Sequence, residues 1–271
     1  MPDISRHKPA TTHTRNRNAA ATVPDDPGDF ERARRGFIAS LADTRIEHNG
    51  HKVTDAGDYG FLAVGNPAPD TCHPSLWRHA QLNAHHGLFE VRPGVWQVRG
   101  YDISNITFIE GKTGWIVVDP LTVEATARAG YELISQHVGH RPVVAVIYTH
   151  SHTDHFGGVL GVTTQADVDA GRCMVIAPEH FLHETVGENV IAGPAMGRRA
   201  TYQFGPLLPP APTGHVDCGL GGLIPMGAPG LIPPTHDITH TGQEMIVDGV
   251  RIVFQLTPET EAPAEMNFYF P

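Results

Sequence analysis

Short apolar runs separated by turn residues dominate the middle of the chain. Leu88-Phe89-Glu90-Val91 and Val95-Trp96-Gln97-Val98 flank Arg92-Pro93-Gly94, the pattern of a β-hairpin. Residues 106–109 and 115–119, joined through Lys112-Thr113-Gly114, predict a second hairpin. Residues 245–247 and 250–256 predict a third across Asp248-Gly249, a two-residue turn signal. Between them, residues 122–138 predict a helix, and the unbroken apolar run at 143–148 predicts a buried strand. A short strand is expected at 173–177, a helix broken or kinked at Pro194 over 178–199, and the start of another strand at 266–270. Toward the amino terminus, Phe30, Ala33, Phe37 and Leu41 share one face of a short amphipathic helix over 29–41, followed by an irregular stretch to about Ala84. Residues 205–235 are crowded with glycine and proline and predict a long excursion. Hairpins first and strand–helix alternation later predict an α/β protein, a sheet-on-sheet sandwich with helices outside.

The densest chemistry follows the run at 143–148: Thr149-His150-Ser151-His152-Thr153-Asp154-His155-Phe156-Gly157-Gly158. In an extended loop, residues two apart point the same way, so His150 and His152 converge on one metal. Asp154 and His155, past the bend, converge on a second. Imidazole nitrogen and carboxylate oxygen suit zinc, and catalytic zinc keeps one ligand position open for water. Gly157 and Gly158 let the backbone turn tightly away. A histidine-rich surface loop is the competing reading in a chain with 18 histidines. The full His-x-His-x-Asp-His-x-Gly-Gly spacing behind a core strand favours a metal site.

At 271 residues the chain is one large domain or a domain with an appendage, long enough to bury a sizeable core. Its net charge of −10 argues against a nucleic-acid partner, and no apolar run approaches a membrane span. Cys72, Cys173 and Cys218 are odd in number and widely spaced, so they form neither a disulfide framework nor a Cys-x-x-Cys zinc site. Residues 1–28 are polar, predict a disordered tail and lack the apolar core of a secretory signal. The default location is therefore cytoplasmic, becoming secreted or periplasmic if the true start lies upstream.

The metal loop resembles that of the metallo-β-lactamase superfamily. Further stretches are similar to its alkylsulfatase branch, the dodecyl-sulfate hydrolases. They include His73-Pro74-Ser75-Leu76-Trp77-Arg78, Arg99-Gly100-Tyr101-Asp102-Ile103-Ser104-Asn105, Glu188-Asn189-Val190-Ile191-Ala192-Gly193, and the segment from Thr257 to Pro271. The resemblance runs from about Asp29 to the last residue. It implies a metallo-β-lactamase-like αββα sandwich, incomplete at the C-terminus: a tail at 1–28, an extension at 29–85 packed on the catalytic domain, and the domain itself at 86–271 without its closing strands. Where the family motif reads Thr-Pro-Gly-Thr-Glu, this chain has Glu259 in place of glycine. If that position lies at positive φ, the turn that aims Glu261 is strained.

The resemblance implies zinc-dependent hydrolysis of alkyl sulfate esters to alcohol and sulfate, with two zinc ions. His150, His152 and Glu261 correspond to the ligands of the first. Asp154, counted also as the catalytic residue, and His155 serve the second, whose shell is incomplete. Asn189, Arg198, Arg199 and Tyr202 are candidate substrate contacts, each weighed against a polar helix face. Phe156, Met196, Leu207 and Leu208 are candidates for an alkyl-chain groove, weighed against core. His180, His183, His236 and His240 read as surface histidines, and Glu188 as an acid on a helix surface or behind a metal ligand. The implied partner is a small-molecule alkyl sulfate, and the implied protein partner a homodimer or a complementing C-terminal fragment. Two alternatives stand beside this. One is another hydrolase of the same fold, a glyoxalase II-like thioesterase or a lactamase, with His215 as the third ligand. The other is a non-catalytic or split-gene fragment.

Overall fold

The computed structural model describes residues 11–22, 26, 28–222 and 224–271. Helices α1 (Thr12–Ala20) and α2 (Gly28–Arg34) come first, then strand β1 (Phe37–Ala39). A small hairpin, β2 (Arg45–His48) and β3 (His51–Asp55), precedes a 3-10 helix at Ala56–Leu62 and helix α3 (Pro74–Asn83). Strands β4 (Gly87–Arg92), β5 (Val95–Arg99), β6 (Ile106–Glu110) and β7 (Trp115–Val118) form a meander. Helix α4 (Glu124–His137) crosses over to β8 (Val143–Ile147), and α5 (Gln165–Asp169) to β9 (Met174–Pro178). Helices α6 (Phe181–Val186) and α7 (Gly193–Phe204) flank a π-helical turn, Gly187–Ile191. A long coil leads to β10 (His236–Ile238), then to β11 (Glu244–Val247), β12 (Val250–Leu256) and β13 (Met266–Tyr269).

The strands make an eight-stranded sheet in the order β1-β4-β5-β6-β7-β8-β9-β10 and a three-stranded sheet, β11-β12-β13. From β7 to β10 neighbouring strands run parallel. All four residues of β7 are buried, because both faces of this central strand are covered. Trp115 and Val117 join the core under α4 with Leu133 and Ile134. Ile116 and Val118 alternate to the other face, where Ile147 and Ile176 meet Ile252, Phe254 and Met266 of the second sheet. Burying each such side chain stabilises the fold by about 1.5–3 kcal/mol. This is the expected α/β sandwich with a large central sheet. A third, smaller core joins Tyr59, Leu62, Trp77 and Ala80 beside α3. No helix of the described residues is long and apolar enough to cross a membrane.

Several elements differ from the sequence expectation. Within the expected tail, residues 1–10, 23–25 and 27 lie outside the described residues, but Thr12–Ala20 is helical. Thr11 caps it by accepting from Thr14 N at 3.2 Å, and Asn18 is buried, donating to the Asp70 carbonyl. The helix expected over 29–41 ends at Arg34, and Phe37–Ala39 is strand instead. Gly36 causes the switch: its φ is +75°, and a Cβ there would lie 2.0 Å from the Glu90 carbonyl oxygen. The stretch expected to be irregular holds the β2–β3 hairpin and α3. Asn49 and Gly50 both lie at positive φ, the requirement of its turn. The helix over 178–199 breaks before Pro194, which opens α7 because a first-turn residue needs no N–H.

Candidate metal centre

The loop leaves the sheet at the carboxyl end of β8, beside the end of the parallel neighbour β7. Asp119, one residue past β7, is buried and accepts from Thr149 N at 2.8 Å and from Thr149 Oγ1 at 2.7 Å. It also accepts from His155 Nδ1 at 2.8 Å. Since the Thr149 hydroxyl proton goes to Asp119, its oxygen accepts from His150 Nδ1 at 2.9 Å. That leaves the lone pair of His150 on Nε2, facing His152 Nδ1 at 3.1 Å.

Glu261 reaches this pair from the other sheet. Thr149 O accepts from Met266 N at 2.9 Å, stitching the start of β13 to the metal loop. The connecting turn folds around Glu265, whose Oε2 accepts from Glu261 N at 2.7 Å and Ala262 N at 2.9 Å. Burial opposes ionisation of Glu265, yet these N–H groups hold its carboxyl below the usual range. Glu261 Oε1 then stands 3.9 Å from His150 Nε2 and 3.7 Å from His152 Nδ1. A point equidistant from the three atoms lies about 2.1 Å from each, the bond length of a small divalent cation to imidazole and carboxylate. The residues therefore fit one metal ion.

Asp154 and His155 lie against this trio. The His155 ring centroid is 4.0 Å from that of His150, and its Nε2 is 3.2 Å from Asp154 Oδ2. Burial alone would lower the His155 pKa, but Asp119 and Asp154 outweigh it and raise it to about 10. Burial works against Asp154 ionising, and the hydrogen bond and charge of His155 override it, holding the carboxyl low. Burial, with His155 beside it, pushes His150 down, toward the neutral form that binds metal. Ser104 Oγ donates to the Asp154 carbonyl and fixes the bend.

Residues 99–254 match the Metallo-beta-lactamase superfamily. The chain belongs to that family. Family membership implies metal ions, as the trio does. The chain is 48% identical over 266 residues to a linear primary-alkylsulfatase of Pseudomonas sp., covering 97% of this chain and 40% of that protein. It is 49% identical over 258 residues to an alkyl/aryl-sulfatase of Saccharomyces cerevisiae, covering 94% and 40%. The stereoselective inverting sec-alkylsulfatase Pisa1 of Pseudomonas sp. superposes with a TM-score of 0.92 at 44% identity, over 97% of this chain and 42% of that one. The chain thus spans about 40% of the length of the curated relatives it matches.

The other candidates separate in this superfamily fold. Asn189 touches the metal loop, accepting from Thr153 Oγ1 and donating to the Thr185 carbonyl. Arg198, Arg199 and Tyr202 lie on the exposed side of α7, Tyr202 at 92% exposure, without a hydrogen bond or ion pair to that loop. Phe156 is core, against Tyr148 and Phe181, and Leu207 is exposed. His180, His183, His236 and His240 are at the surface. His215 has both ring nitrogens engaged, Nδ1 with Tyr59 Oη at 2.5 Å and Nε2 with the Phe204 carbonyl at 2.9 Å. It belongs to the polar edge of the third core rather than to the trio. The three cysteines are free thiols. Sequence reasoning missed Asp119 and Glu265. Asp119 had one signal, a lone acid closing a fully apolar strand.

Proposed function

We propose that this chain carries the first zinc site of a hydrolase that splits alkyl sulfate esters into alcohol and inorganic sulfate. Convergence of His150 Nε2, His152 Nδ1 and Glu261 Oε1 on one point carries this reading. Two imidazoles and a carboxylate are a catalytic zinc set that leaves a position for water. Similarity to alkylsulfatases over 94–97% of the chain supports the ester class. Zinc bound there supplies Lewis acidity to water and to an ester oxygen.

The chain's own residues hold that site in shape. Asp119, acting through Thr149, presents the His150 lone pair, and it orients His155 directly. Glu265 holds the turn that aims Glu261. Asp154 and His155 offer a second cation two donors. Val190 and Ile191 stand 69% and 79% exposed in the turn that bears Glu188 and Asn189. They give an apolar surface beside the centre, suited to an alkyl tail.

Sulfate release from dodecyl sulfate by the purified chain tests the proposal. Release that depends on zinc and falls at least about a hundredfold in Glu261→Ala is expected. Release unchanged by chelation would contradict it. Hydrolysis of a thioester or β-lactam in its place would favour the other hydrolases of this fold.

A further inference from the structure

Each histidine of the metal loop needs its second nitrogen held if the first is to face a cation. For His150 that partner is Thr149, and for His155 it is Asp119. His152 has neither. Its Nδ1 faces His150 and Glu261, and its Nε2 faces Glu188 Oε1 at 3.5 Å. Among the described residues, Glu188 and Glu261 are the carboxylates within ion-pair distance of the His152 ring, and Glu188 is the one met through Nε2. The other Glu188 oxygen, Oε2, is buried and has no hydrogen-bond partner. An unpaired buried oxygen is unfavourable for folding, so this carboxylate points to a role other than stability.

The backbone explains how it arrives there. Ala192 N donates to Gly187 O at 3.0 Å, five residues back, which widens the helix between α6 and α7 into a π-helical turn. Such turns recur at functional sites because the extra residue redirects side chains. Here two neighbouring side chains turn onto the metal loop, Glu188 toward His152 and Asn189 toward Thr153.

We propose that Glu188 is the positioning residue of His152: its carboxylate accepts the Nε2–H and fixes the tautomer whose Nδ1 lone pair faces the cation. This rests on the zinc reading given above. At 3.5 Å the contact stands at the outer limit of hydrogen-bond reach. Metal on Nδ1 obliges the proton to sit on Nε2, the nitrogen that faces the Glu188 carboxylate. Carboxylate–histidine–metal arrangements of this kind raise ligand basicity and lock ring orientation.

Zinc affinity of the purified chain, measured by competition with a chromophoric chelator, tests this without reference to turnover. Glu188→Ala is expected to weaken zinc binding about 10–100-fold. Glu188→Gln, whose amide oxygen still accepts the N–H, is expected to restore most of that loss. The melting temperature of the metal-free variants should not fall below that of wild type, whereas a merely structural role predicts a fall. An alanine variant that binds zinc as tightly as wild type overturns the role. A glutamine variant as weak as alanine overturns it too, because Glu188 would then act through its charge or as a ligand. A wild-type chain that binds no zinc overturns the role together with the zinc reading, whereas a wild type that binds, matched by Glu188→Ala, overturns the role alone.

Discussion

Asp119 carries three hydrogen bonds on one buried carboxylate and does so at φ +52°, a conformation that costs a non-glycine residue about 1–3 kcal/mol. His155 is its charged partner, and this sets a pH dependence. The histidine pKa is raised in the fold, so its stabilising contribution is complete below the unfolded value near 6.5 and is lost as pH rises toward 10. The metal-free chain should melt lower at pH 9.5 than at pH 6, and His155→Gln should flatten that slope; equal slopes by calorimetry would refute the pairing. Zinc binding should tighten over the same range, because the ligands must shed protons. Glu259 is strained as well, at φ +63° in the turn that aims Glu261. Glu259→Gly should raise stability by about 0.5–1 kcal/mol in urea unfolding, the left-handed strain removed exceeding the added chain entropy. His150, His152, Asp154 and His155 were legible in the sequence because they are contiguous. Glu261 was legible only through resemblance. Asp119 and Glu265 were not, since each acquires its partner through pairings the local pattern does not encode, and for Glu188 the sequence left helix surface and a place behind a ligand both open.

At the level of elements, the centre depends on parallel strands ending together. β7 delivers Asp119 and β8 delivers the loop, and β13 is tied to Thr149 from the opposite sheet. The hairpins β4–β5, β6–β7 and β11–β12 were legible because turn residues separate apolar runs, as Asp248 and Gly249 do at positive φ. The β2–β3 hairpin carries the same signal at Asn49-Gly50, but its strands are largely exposed and lack apolar alternation. α1 was hidden by its polarity, being held by Asp70 rather than by an apolar face. β1 was hidden because Phe37 continues the spacing of a helix that Gly36 stops. Gly36→Ala should cost about 2–4 kcal/mol in urea unfolding, as its Cβ would meet the Glu90 backbone that β1 pairs beside. A variant as stable as wild type would show that the helix-to-strand switch does not need this glycine.

Across the whole molecule, two sheets meet over one apolar core and α4 covers the other face, so the metal loop stands at the rim where both sheets contribute. One sheet supplies His150 and His152, the other Glu261, and the trio exists only in the closed sandwich. The measurement that tests this most directly is zinc content after gel filtration of wild type, Glu261→Ala and His215→Ala. Wild type and His215→Ala should retain zinc, and Glu261→Ala should lose it. Zinc kept by Glu261→Ala and lost by His215→Ala would contradict the account.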